Sequence, residues 1–173
     1  VESIDCLKGD GPIDTMELVL AQADSLGYDI RSHLSDGSAL HEFKQMCFRQ
    51  GVKNDVIESL IEKPWSVLPK ADFSVEIVAQ SSGWVSHIDA LSIGQVLCNL
   101  GAGRTGVTAS IDHGIGAELI KGIGEKIEMG DPWIRFDINS NMDPESVQNI
   151  QNAIQISSTK VHKESRIIQI ITN

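Results

Sequence analysis

Residues 83–130 read GWVSHIDALSIGQVLCNLGAGRTGVTASIDHGIGAELIKGIGEKIEMG and hold most of the chain's 15 glycines. Glycine is used where backbone must turn through positive φ or pass close to another segment. This density predicts tight turns and at least one close-fitting loop, and it excludes a plain helical bundle. One helical pattern interrupts it: Ile93, Val96, Leu97 and Leu100 fall at i, i+3, i+4 and i+7 within Ala90–Leu100. Asp89 has the side chain of an N-cap, and Gly101 stands where a helix takes its left-handed C′ residue. Gly101-Ala102-Gly103-Arg104-Thr105-Gly106 cannot extend the helix and is expected to form an exposed loop.

Outward from that stretch the pattern is one of short strands. Phe73, Val75, Ile77 and Ala79 alternate with Ser74, Glu76, Val78 and Gln80, with only Val78 off pattern. Trp84–Ile88, Gly116–Lys121, Lys126–Met129 and Trp133–Ile138 read as further strands, separated by turns at Gly124 and Gly130-Asp131. Asp143-Pro144-Glu145 opens a helix carrying Val147, Ile150 and Ile154, and Arg166–Ile171 closes the chain as a strand. The residues alone lead to an α+β domain over 67–173 and no further.

The preceding residues, 1–66, are helical and amphipathic. Val1–Leu7 reads as the tail of a helix, and a chain opening at Val in mid-pattern is expected to be a piece of something longer. Met16, Val19, Leu20, Ala23 and Leu26 form a stripe closed by Gly27. Arg31–Gly37 is a polar connection. Ala39, Leu40, Phe43, Met46 and Cys47 form the next stripe, and a short helix over Asp55–Ile61 is stopped by Lys63-Pro64. Such helices must bury their apolar faces against another layer.

Composition narrows the function classes. A hydrophobic content of 41% over 173 residues suits a folded, water-soluble protein. No apolar run approaches the roughly 20 residues of a membrane helix. The formal charge of −10 disfavours a nucleic-acid partner, which would require clustered Lys and Arg. Cys6, Cys47 and Cys98 are odd in number and far apart, each in an apolar helical pattern; they are expected to be buried free thiols in a reducing cytoplasm. His33, His41, His87, His113 and His162 show no metal-ligand spacing among themselves or with the cysteines. Trp65, Trp84 and Trp133 suit core or contact positions better than base-stacking platforms. Asp112 and His113 are adjacent, and on a strand adjacent side chains point to opposite faces, so they do not suggest a catalytic dyad.

Gly101-Ala102-Gly103-Arg104 has the composition of an anion cradle, with Arg104 able to give charge-assisted bonds. It follows a helix C-terminus, however, whose carbonyl end repels anions, whereas phosphate cradles favour helix N-termini. Direct phosphate binding there is disfavoured.

GWVSHIDALSIG, LGAGR, IDHGIGAEL and GEKIEMGDP resemble the C-terminal domain of the thymidine and pyrimidine-nucleoside phosphorylases. Two upstream blocks resemble the same family: Asp36-Gly37-Ser38-Ala39-Leu40 with Phe43, Met46 and Gln50-Gly51, and Cys6-Leu7-Lys8-Gly9-Asp10-Gly11-Pro12. Together they span nearly the whole chain in the family's order. The resemblance implies that residues 1–66 are a helical segment from the edge of an α/β domain and that 67–173 form a small barrel-sandwich-like α+β C-terminal domain. It further implies phosphate-dependent cleavage of a pyrimidine nucleoside to free base and sugar 1-phosphate. Phosphate would be co-substrate, no organic cofactor would be needed, and the enzyme would be a cytoplasmic homodimer.

By the same resemblance the loop from Gly101 to about Asp112, with Gly103 and Arg104, closes over the active-site cleft. Glu2 falls at the position of a ligand to a structural potassium ion. The catalytic, phosphate-binding and base-reading residues lie in segments upstream of this chain, so none is named here, and thymidine is not distinguished from uridine. Gly122 stands where many relatives have Lys, and Phe136-Asp137 where many have Ile-His, so roles of those side chains do not carry over. Two other readings remain open at this stage. One is a relative that kept the fold without phosphorolysis. The other is a non-catalytic interaction module or carrier of biotinyl or lipoyl type, which presents a lysine at a hairpin tip. Lys121 before Gly122 and Lys126 between Glu125 and Ile127 lack that setting.

Overall fold

The structure is a computed structural model and describes residues 1–104 and 110–169. The chain forms two compact units, one made of Val1–Leu68 with the residues from Glu164 onward, the other of Pro69–Lys163.

The first unit holds α1 (Glu2–Leu7), α2 (Ile13–Ser25), α3 (Ile30–Ser35), α4 (Ser38–Arg49), α5 (Asn54–Glu62) and a 3-10 turn at Pro64–Ser66. Its buried side chains among the described residues are Ile4, Ile57 and Ile61. Lys8 Nζ donates to Ile61 O at 2.9 Å, which satisfies a carbonyl at the open C-terminal end of α5 and joins that end to α1. α3 occupies part of the stretch read as a polar connection. Its start is set by polar side chains rather than an apolar stripe: Asp29 accepts from Arg31 N at 3.2 Å, and the Arg31 guanidinium grips Asp24 through two bonds of 2.7 and 3.0 Å.

Residues 166–169 do not form the expected strand. A strand needs a neighbouring backbone to pair with. Here the segment lies along α2 and shares a shallow groove with Leu18, Ala21, Gln22 and Ser25. It is tethered by side chains: Ser165 Oγ donates to Glu17 at 2.6 Å, and Arg166 pairs with Asp14.

Among the described residues the second unit is α+β, built from two open three-stranded antiparallel sheets and two α-helices. The strands are β1 (Phe73–Val78), β2 (Gly83–Ile88), β3 (Gly116–Leu119), β4 (Lys126–Ile127), β5 (Pro132–Ile138) and β6 (Ile154–Ser157); the helices are α6 (Ala90–Leu97) and α7 (Pro144–Asn152). The sheet orders are β1-β5-β3 and β4-β2-β6, and no closed barrel is formed among the described residues. β5 is the central strand of its sheet, with Phe136 opposite Val75 on one side and Ala117 on the other. Trp133, Ile134, Phe136 and Ile138 of β5 are fully buried with Val85, Ile127 and Ile150, and α6 adds Ile93 and Val96 to the same core. Burying an aliphatic or aromatic side chain contributes about 1.5–3 kcal/mol, so this cluster is the main stabilising element of the unit.

Ile154 was grouped by spacing with Val147 and Ile150 as a helical residue, but α7 stops at Asn152 and Ile154 opens β6 opposite Ile88. Ile154 is four residues from Ile150 and two from Ile156, so it suits either period, and the edge of β2 decides between the readings. No helix among the described residues is long and apolar enough to cross a membrane.

Candidate functional site: the loop base at Gly101 and Asp112

The position of the loop is set by α6. Asp89 caps it, accepting from Leu91 N at 3.0 Å, Ser92 N at 3.2 Å and Ser92 Oγ at 2.6 Å. These bonds hold the Asp89 carboxyl below the usual carboxylate range, with the Ser92 hydroxyl the largest cause. Burial of Ile93 and Val96 then fixes the rotation of the helix on the core. Beyond Leu97 the chain widens into a π-type turn, Cys98–Ala102, in which Gly101 takes φ +114° and ψ 0°. A side chain would be strained at that φ. Gly103 passes so close to Cys98 that an added Cβ would stand 2.7 Å from its Sγ.

Asp112 closes the base of the loop. Its backbone N donates to Gly101 O at 2.9 Å. One carboxylate oxygen accepts from Gly114 N at 2.9 Å, an Asx-turn that folds the chain toward β3. The other accepts from Asn139 Nδ2 at 2.6 Å, and Asn139 Oδ1 in turn accepts from Asp72 N at 2.7 Å. Asn139, just beyond the end of β5, thereby ties the Asp112 turn to the entry of β1. Gly114 lies against that entry: a Cβ on it would meet Lys70 C at 2.9 Å, Lys70 O at 3.0 Å and Ala71 N at 3.1 Å.

The Asn139 bond, then the Gly114 amide and the nearby His113 charge, hold the Asp112 carboxyl below its ordinary value. A carboxylate that is stabilised in its charged form and already accepting two bonds is a weak proton acceptor. Asp112 acts as a joint rather than a base. Asp112 and His113 lie in a turn and not on a strand, so the alternation expected of them does not apply. The carboxylate bonds go to Gly114 and Asn139 instead.

Of the four loop residues singled out in the sequence, Gly101 and Asp112 are brought into contact. Gly103 packs on Cys98, and Arg104 is exposed, with its carbonyl 4.0 Å from Cys98 Sγ. Thr105 and Gly106 lie outside the described residues. Asn139 was not anticipated: an asparagine after a strand suggests a turn, and nothing in the sequence links position 139 to position 112.

Glu2 is exposed and accepts from Thr15 Oγ1 at 3.5 Å. Two hard oxygens together suit an alkali or alkaline-earth ion chemically, but the pair alone is far short of a coordination shell. Among the described residues no group of three or more His, Cys, Asp and Glu could hold a metal. The three cysteines are free, and they are half-buried rather than buried. Trp133 is a core residue, whereas Trp65 is 55% exposed. Trp84 carries Lys160 Nζ 5.5 Å from its ring centroid. The span containing Lys121 crosses between sheets, because β3 and β4 belong to different ones. Lys126 lies on β4 and pairs with Glu128 at 2.8 Å. Neither is the tip lysine of a carrier.

Residues 84–157 match the pyrimidine nucleoside phosphorylase C-terminal domain. Over its wider length the chain is 34% identical to a pyrimidine-nucleoside phosphorylase of Bacillus subtilis, covering 91% of this chain and 38% of that protein. It is 32% identical to a pyrimidine-nucleoside phosphorylase of Geobacillus stearothermophilus, over 99% of this chain and 41% of that one. Human thymidine phosphorylase is 31% identical over 78% of this chain and 31% of its own length. The chain spans about two fifths of the length of the bacterial relatives, 38% and 41%. It carries the C-terminal domain of the pyrimidine-nucleoside and thymidine phosphorylase family.

Proposed function

We propose that this chain serves a pyrimidine-nucleoside phosphorylase, in which phosphate displaces the base from a pyrimidine nucleoside to give free base and (deoxy)ribose 1-phosphate. Its second unit contributes the part that closes over the cleft, through the loop that starts at Gly101 and includes Gly103, Arg104 and Asp112. The observation that carries this reading is the similarity to such phosphorylases along 91–99% of the chain. The Asp112 joint adds support, because a loop that must present a cation such as Arg104 reproducibly needs a fixed base. Closing of this kind would exclude water and let hydrogen-bond donors act on the charge that develops on the departing base. The chemistry needs phosphate as co-substrate and no organic cofactor. Glu2 with Thr15 would supply two oxygens to a structural potassium ion. The working enzyme is proposed to be a cytoplasmic homodimer.

The test is phosphorolysis by the protein expressed from its whole reading frame, with thymidine and uridine, in the presence and absence of phosphate. Release of thymine or uracil only when phosphate is present is the expected result. A folded protein that releases no base, or releases it equally without phosphate, overturns the reading. The 173-residue chain by itself is expected to be inactive, and base release from it at an enzymatic rate would contradict the proposed division of labour.

A further inference from the structure

We infer that Asn139 is a positioning residue for the loop that begins at Gly101. The functional weight of this rests on the cleft-closing reading, while the contacts themselves do not. The carboxamide is held by two bonds of opposite polarity: Nδ2 donates to Asp112 at 2.6 Å and Oδ1 accepts from Asp72 N at 2.7 Å. Rotating the amide by half a turn would face two donors at Asp72 and two acceptors at Asp112, so one orientation is fixed. Asp112 then transmits that placement, because its backbone N is bonded to Gly101 O at the start of the loop. Three segments distant in sequence, at 72, 112 and 139, meet in one side chain.

Aspartate at 139 would keep an acceptor for Asp72 N but would set a carboxylate oxygen against Asp112. Leucine would fill similar space with neither bond. Asparagine alone of the three satisfies both neighbours. Within this contact Asp112 draws its support from Asn139 and from the Gly114 amide. Loss of Asn139 therefore removes the bond that joins the turn to β1 and leaves the Asp112 carboxylate only its local Asx-turn bond to Gly114 N.

The experiment is amide hydrogen exchange by NMR on the full chain, read at Asp112 and Gly114, with the Phe136 and Ile150 amides of the core as internal control. Asn139→Asp is expected to speed exchange at Asp112 and Gly114 on the order of tenfold, by replacing a charge-assisted bond with repulsion. Asp112→Asn combined with Asn139→Asp restores a donor facing an acceptor with the polarity reversed, and keeps an oxygen for Gly114 N. The exchange should return to within about threefold of the parent. Parental exchange in Asn139→Asp, or a double variant as fast as the single, overturns the inference. If the single variant loosens the core amides as well, the double variant alone decides by the same criterion. The companion measurement is kcat/KM for phosphorolysis in the whole reading frame. There the single variant should lose activity and the double variant recover it. If the exchange pattern appears and the parent protein releases no base, the clamp stands and the cleft-closing reading falls.

Discussion

Gly114→Ala is the sharpest test of how the loop base is built. The added methyl would stand 2.9 Å from Lys70 C, 3.0 Å from Lys70 O and 3.1 Å from Ala71 N, all of them backbone atoms. Ordinary contact begins at 3.4 Å, so the two segments must separate by about half an ångström or the Asx-turn must open. No side chain can rotate out of the way. Overpacking of this sort costs about 1–3 kcal/mol. For a domain of 60–100 residues each kcal/mol shifts Tm by roughly 4–8 °C, so a drop of about 5–20 °C is expected. Gly116, two residues on and inside β3, is the control: a Cβ there meets nothing within 4 Å. Gly116 is the first residue of β3, where alanine fits and leaves the unfolded chain less freedom to lose than glycine, so Gly116→Ala should melt at or slightly above the parent. Both variants would be followed by thermal denaturation at a near-ultraviolet signal and by urea titration. Equal melting of the two would refute the claim that the turn is pressed against the entry of β1.

Phe136→Ala removes a fully buried ring from the central strand of its sheet and should cost about 3–5 kcal/mol; a urea midpoint lowered by less than about 0.3 M would show that it is not a core residue. Acid should destabilise the second unit through Asp89, Asp112 and Asp143, whose carboxyls are all held below the ordinary value by hydrogen bonds. A depressed folded pKa contributes stability that is present above the unfolded value near 3.8 and is lost as pH falls through the folded one. The urea midpoint should therefore be insensitive to these groups from pH 7 to about 5 and decline below about 4, with a shallower decline once they are replaced by Asn. Asp89→Ala should in addition uncap α6 at pH 7, seen as faster exchange of the Leu91 and Ser92 amides.

Much of the fold was legible because its signals are local. Asp89 is an N-cap by residue type, Gly101 sits at the left-handed end of the α6 region, and the alternation of Phe73 to Val78 marks β1. Each of these can be read within a few residues. The failures are those in which a partner far away decides. Ile154 fits a helical period with Ile150, and only the edge of β2 makes it a strand. Residues 166–169 include the β-branched Ile167 and Ile168, but they meet α2 rather than a strand. α3 was missed because an Arg31–Asp24 grip and an Asp29 cap, not an apolar stripe, define it. Asn139 is the extreme case, since its two partners lie 27 and 67 positions away.

The glycine-rich motifs that mark the family are, in this chain, mostly backbone requirements. Gly101 supplies a φ that a side chain would strain, Gly114 permits an approach that a methyl would block, and Asp112 ties the two together, its backbone N donating to Gly101 O and its carboxylate accepting from Gly114 N. Each of these residue types is demanded by architecture before any substrate is considered. The exposed member of the set is Arg104, whose charge is not consumed by the joint. Among the described residues of that set, Arg104 is the one whose charge could meet an anion. Replacing Arg104 with Lys should keep the fold and part of the activity, because charge is retained while the planar fork is lost. Replacing it with Ala should keep only the fold. Activity in the whole reading frame that is unchanged by Arg104→Ala would leave the loop with a structural role alone.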